Sequence, residues 1–113
     1  MARTTIAPVT MPGGSYGVGF NEFTWQAADV ANGNQFLSTG KEILLMRNVN
    51  ADSPSVARKI TLYKTSGTIE YTLGAGEYAA SGVIPVTGWK QTDLYVYVNG
   101  AHADIEFAVV KEP

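Results

Sequence analysis

From Glu22 onward, short runs rich in Val, Ile, Thr, Tyr and Phe return about every ten residues with turn-forming residues between them, the spacing of a β-sandwich or barrel. The runs predict strands over 22–27, 41–49, 56–64, 68–73, 83–86, 94–99 and 104–111. Nowhere does an apolar period of about 3.6 persist for three turns. Residues 27–31 allow one helical turn, which Asn32-Gly33-Asn34 stops. The fold class expected is all-β, a jelly-roll-like antiparallel sandwich.

One strand departs from alternation. Ile43, Leu44, Leu45 and Met46 follow one another between the polar pairs Lys41-Glu42 and Arg47-Asn48. Such a strand is covered on both faces: it lies at the centre of the sandwich, or one face waits for a partner. The opposing sheet, the chain's own N-terminal segment and a neighbouring subunit are all open as the second layer.

Turn chemistry fixes two hairpins on paper. A loop at Ser66-Gly67 sets Leu62 opposite Tyr71, Ile60 opposite Leu73 and Tyr63 opposite Glu70. Asn99-Gly100, read as a type I′ turn, sets Leu94 opposite Ile105, Val96 opposite Ala103, Tyr95 opposite Asp104 and Tyr97 opposite His102. Gly74-Ala75-Gly76 reads as a further turn. Asn50 to Ser55 is a polar loop to which no role is assigned.

Residues 1–20 differ in character from 21–113, the single sandwich domain. Pro8, Pro12, Gly13, Gly14, Gly17 and Gly19 exclude a helix. The segment reads as an extended arm, with a strand over 4–9 and a glycine hinge, or as a solvated tail; Ile6, Val9, Met11, Tyr16, Val18 and Phe20 argue for the arm. On that view, removing residues 2–12 leaves the sandwich folded.

Composition narrows the function classes. Charged residues make up 16% of the 113 and the net charge is −2, so no basic field attracts nucleic acid. The low charge favours a protein that packs against others. Without cysteine there is no disulfide framework, thiolate site or Cys nucleophile. The N-terminus lacks the apolar core of a signal peptide and no stretch approaches a membrane-spanning length of about 20 residues, so no membrane partner is expected.

Catalytic patterns fail on physical grounds. Gly13-Gly14-Ser15-Tyr16-Gly17 matches a nucleophile elbow and Asp93 and His102 follow in hydrolase order, but proline and glycine flank the motif where a strand and a helix are needed. His102 is the only histidine and reads as an exposed residue beside a turn. No calcium-loop spacing or cofactor motif occurs, and neither a metal, a cofactor nor enzymatic activity is expected. Trp25, Trp89, Tyr95 and Tyr97 raise a carbohydrate-binding or adhesion alternative, since aromatic platforms stack sugar rings.

The order of features resembles the small β-sandwich proteins that tailed bacteriophages encode beside their major capsid protein, the head decoration or minor virion proteins. The resemblance covers 34–110. It rests on Asn34-Gln35-Phe36 leading through Thr39-Gly40 into Glu42-Ile43-Leu44-Leu45 with Arg47-Asn48, then Leu73-Gly74-Ala75-Gly76-Glu77, Ile84-Pro85 and Leu94-Tyr95-Val96-Tyr97-Val98. It implies a non-enzymatic structural protein made in the host cytoplasm and placed on the capsid surface of the virion. There it would bind the major capsid protein and cement the head as a homo-oligomer, a trimer in the family's pattern. Candidate partner-binding residues are Ile6, Val9, Met11, Tyr16, Trp89, Tyr95 and Tyr97.

Overall fold

The computed structural model describes residues 2–13 and 19–113. It is all-β, with two five-stranded sheets packed face to face. The strands are β1 (Thr4–Thr5), β2 (Val9–Thr10), β3 (Gln26–Ala27), β4 (Asn34–Leu37), β5 (Glu42–Asn48), β6 (Arg58–Lys64), β7 (Gly67–Leu73), β8 (Tyr78–Ile84), β9 (Tyr95–Gly100) and β10 (Ile105–Lys111). One sheet runs β1-β4-β9-β6-β7; the other runs β2-β10-β5-β8, with β3 also on β10. All pairings are antiparallel except those of β1 on β4 and β2 on β10.

Alternation builds the core. Phe36, Leu44, Ile60, Leu73, Val96, Val98, Ile105, Phe107 and Val109 are all buried between the sheets. The uninterrupted run in β5 divides by parity: Leu44 and Met46 point inward, whereas Ile43 and Leu45 are half-buried on the outer face. Their strand neighbours there are Val110 and Val83 beside Ile43, and Ala108 and Ala80 beside Leu45. Its polar flank also divides, because Glu42 is 1% exposed. A buried carboxylate needs donors; Glu42 takes them from the Thr39 amide at 2.8 Å and the Thr39 hydroxyl.

Both proposed hairpins require correction. The β6–β7 turn is Thr65-Ser66, not Ser66-Gly67, so Leu62 faces Ile69, Ile60 faces Tyr71 and Tyr63 faces Thr68. The Thr65 amide is bonded outward to Gly88 O at 2.9 Å, which fixes the loop. A two-residue slip keeps each side chain on its face, so the inside-outside assignment stands while the register does not.

Asn99-Gly100 is not a hairpin turn at all. Both residues continue β9, paired with Thr61 and Ile60, and the chain then crosses to the other sheet before β10 begins. The glycine answers a packing need: a β-carbon at Gly100 would lie 2.6 Å from Ala28 Cβ and 3.2 Å from Ile105 Cβ. Tyr97 and His102 are therefore not partners.

Other strands shift more modestly. The element expected at 83–86 is β8, which begins at Tyr78 and stops before Pro85, where a ladder donor is lost. Its Ala-Ala-Ser-Gly stretch has poor strand propensity, and pairing with β5 overrides it. The segment expected at 22–27 pairs only at Gln26–Ala27, and β4 is an additional strand.

The N-terminal segment lies on the body. Thr4 and Thr5 extend the first sheet beyond β4, and Val9 and Thr10 extend the second beside β10. Between them Ile6 enters the core at 2% exposure, its amide bonded to Gln35 O at 2.7 Å.

Candidate functional site

Of the residues proposed for partner binding, Ile6 is core; Val9 and Met11 are half-buried along β10, where the Met11 amide donates to Lys111 O at 2.8 Å. Tyr16 lies outside the described residues, as does Ser15. Trp89 is half-buried against the core. Tyr95 and Tyr97 are half-buried on the outward side of β9.

Tyr97 belongs to a cluster that no sequence spacing announces. The Arg3 guanidinium sits 4.2 Å from the Tyr97 ring centre and 5.1 Å from that of Tyr63. Its Nη1 donates to Asn99 Oδ1 at 2.6 Å and to Asn34 O at 3.2 Å, and Asn99 donates in turn to the Tyr63 hydroxyl at 3.1 Å. Gly33 makes the space: a β-carbon there would fall 2.4 Å from Arg3 Nη1 and 2.3 Å from Asn99 Oδ1. The Tyr97 hydroxyl donates to Asp93 at 2.5 Å, and this bond to a carboxylate raises the phenol above the ordinary tyrosine range. A ring face that a sugar would stack on thus carries Arg3 already.

The adjoining contact fixes Thr4, whose hydroxyl donates to Asp29 at 2.5 Å. That hydrogen bond, followed by one from the Asn32 amide, holds the Asp29 carboxyl below its ordinary range.

The second sheet presents a different outer surface. Trp25 lies over the Arg47 guanidinium at 4.6 Å and meets Phe23 and Tyr78 edge-on at 5.6 and 6.1 Å. Arg47 is held by Glu106 at 2.6 Å. Trp25, Leu45, Tyr78, Ala79 and Ala80 line a shallow depression of about 340 Å³. Tyr78 is 68% exposed and Val83 45%. The sequence signal for this face was the unbroken run in β5, whose outward members Ile43 and Leu45 lie in it.

Between the free edges of β7 and β8 the sheets leave a cleft of about 290 Å³ lined by Leu44, Met46, Ile60, Leu62, Ile69 and Tyr71 among others. Its wall is apolar, and Ser81 Oγ, the hydroxyl of the β8 wall, is engaged by the Leu44 amide at 2.9 Å.

Asp93 and His102, the described members of the hydrolase pattern, are not brought together. Asp93 precedes β9 and His102 follows it, which at about 3.3 Å per residue places them on the order of 20 Å apart. His102 Nδ1 accepts from the Asp104 amide at 3.0 Å. Asn50, from the loop without an assigned role, organises this end: its side chain donates to Asp52 at 3.1 Å and Asp104 at 2.9 Å and accepts from Asp52 N and Val56 N. The Asn50 hydrogen bond outweighs partial burial and, with His102 and Arg58, holds Asp104 below the usual carboxylate range.

Among the described residues, no group of three or more His, Asp or Glu is placed to hold a metal ion, and no helix is long and apolar enough to cross a membrane. No protein-family model, curated protein or solved structure matches the chain.

Proposed function

We propose that the protein is a non-enzymatic virion structural protein that docks on the major capsid protein and decorates or cements a phage head. The observation that carries this reading is the outward face of the second sheet, where Ile43, Leu45, Tyr78 and Val83 form an apolar surface beside Phe23 and Trp25. In a chain with 16% charged residues, a contiguous face of that kind is what a docking protein presents. The sequence resemblance supplies the identity of the partner.

The strand order supports the jelly-roll part of the same proposal. Without β1 and β2, the sheets read β3-β10-β5-β8 and β4-β9-β6-β7, with antiparallel neighbours throughout, an order that two interlocked Greek keys generate. The carbohydrate alternative has weaker support, because Arg3 covers the Tyr97 ring and Trp89 packs against the core.

Val83→Asp and Tyr78→Ala test the reading on exposed positions that the core does not need. Each is expected to lower co-sedimentation with empty heads at least tenfold while leaving the melting curve near that of the parent. Undiminished binding by both variants, or a virion copy number of a dozen or fewer by mass spectrometry, overturns the head-decoration proposal.

A further inference from the structure

The geometry points to the trough that holds residues 3–11 as a peptide-binding site whose partner is the same segment of a second copy of this chain. The inference goes beyond the capsid proposal and does not depend on it.

The trough reads its occupant side chain by side chain. A guanidinium slot is formed by Tyr63, Tyr97, Asn99 and the Asn34 carbonyl, and Gly33 is hollowed to admit it. Next comes a hydroxyl acceptor, Asp29, then an apolar hole filled by Ile6. The backbone is read as well, by Gly33 O for Thr4, Gln35 O for Ile6 and Lys111 O for Met11. The ladders themselves are only two residues long at each sheet, so recognition rests on these slots together. What fits them in order is an extended Arg-Thr-x-Ile segment. Such recognition adds a strand to a sheet edge and obtains specificity from side-chain pockets.

The described residues place both ends of the connection between the segment and the body. A β-carbon on Gly19 would lie 3.1 Å from Pro12 Cβ, and Asn21 donates to Thr10 O at 2.6 Å, so the ends of the intervening stretch lie side by side. Opened out, the seven peptide steps from Pro12 to Gly19 span up to about 25 Å. Exchange keeps every contact of the trough identical, so the outcome is set by concentration: the tethered segment competes at an effective concentration in the millimolar range. Dilute chains close on themselves, and chains above that concentration exchange.

Two experiments on the full chain decide it. In the first, a fluorescent peptide with the sequence of residues 2–12 is titrated with an Arg3→Ala/Ile6→Ala chain, whose own segment fits poorly. The peptide is expected to bind at least tenfold more tightly than one carrying the same two alanines. Equal binding of the two peptides, or no binding to the folded variant, overturns the inference.

In the second, Gly13→Pro/Gly14→Pro stiffens the connection against reversal, and sedimentation reads the mass. A discrete folded dimer or closed ring supports exchange; a folded monomer at millimolar concentration overturns it. The second measurement decides alone where the alanine variant fails to fold.

Discussion

Arg3 and Tyr97 meet with the guanidinium 4.2 Å from the ring centre, which joins the N-terminal segment to the outward face of a central strand. A half-exposed cation over a tyrosine contributes roughly 0.5–1 kcal/mol, and its hydrogen bond to Asn99 adds about 1 kcal/mol. Arg3→Ala is therefore expected to destabilise the fold by about 1–2 kcal/mol, read as a lower urea midpoint. Arg3→Lys should recover little, because a point charge cannot stack while reaching Asn99. In a double-mutant cycle Gly33→Ala should couple to Arg3→Ala, since the added methyl displaces the guanidinium.

Gly100 tests the crossing between the sheets. An added β-carbon would meet Ala28 Cβ at 2.6 Å and Ile105 Cβ at 3.2 Å, two buried residues of the core. Overpacking of this kind costs about 1–3 kcal/mol. Gly100→Ala is expected to fall in that range by thermal or urea unfolding, whereas Gly76→Ala, with open space around it, should show only the strain of its positive φ.

These two glycines also show what sequence can and cannot disclose. The alternation of β6, β9 and β10 was legible because a period of two survives any tertiary setting, whereas the unbroken apolar run of β5 hides its parity until the fold divides it. Gly100 is ambiguous in the sequence because Asn-Gly carries the same local signal whether the glycine serves a positive φ or close packing across sheets. Strand β4 leaves little trace in the sequence, since it is four residues long and opens on Asn34, a polar residue that is fully buried. The Arg3 slot had no signal at all: its parts come from β6, β9, β4 and the turn before it, and only the fold brings them together.

Acid should loosen the molecule at two named points. Asp29 and Asp104 both have carboxyls held below their ordinary range, by Thr4 and Asn50 respectively as the leading causes. A group with a depressed folded value contributes its full stability above the unfolded value, about 3.9 for Asp, and loses it as the pH falls through the folded value. Unfolding midpoints are expected to be flat from neutral pH to about 5 and to drop below 4. Asp29→Asn and Asp104→Asn should each flatten that drop; unchanged acid profiles in both variants would contradict the assignment.

Leu94 offers the opposite kind of test. It has a φ of +79°, alone among the described non-glycine residues, and its side chain is 53% exposed. The loop demands that conformation: the Leu94 amide donates to Gln91 O at 2.9 Å, the Gln91 amide donates to Tyr95 O at 2.8 Å, and Leu94 O receives the Ser38 amide at 3.0 Å. A left-handed backbone costs an L-residue about 1–2 kcal/mol, and glycine avoids that cost while losing roughly 0.5–1 kcal/mol to its freer unfolded chain. Leu94→Gly is thus expected to stabilise the protein by about 0.5–1 kcal/mol, seen as a higher urea midpoint with an unchanged slope. Leu94→Ala, which keeps the strain and removes the exposed side chain, should give no gain. A loss of stability in the glycine variant would mean that the leucine side chain packs more strongly than its exposure suggests.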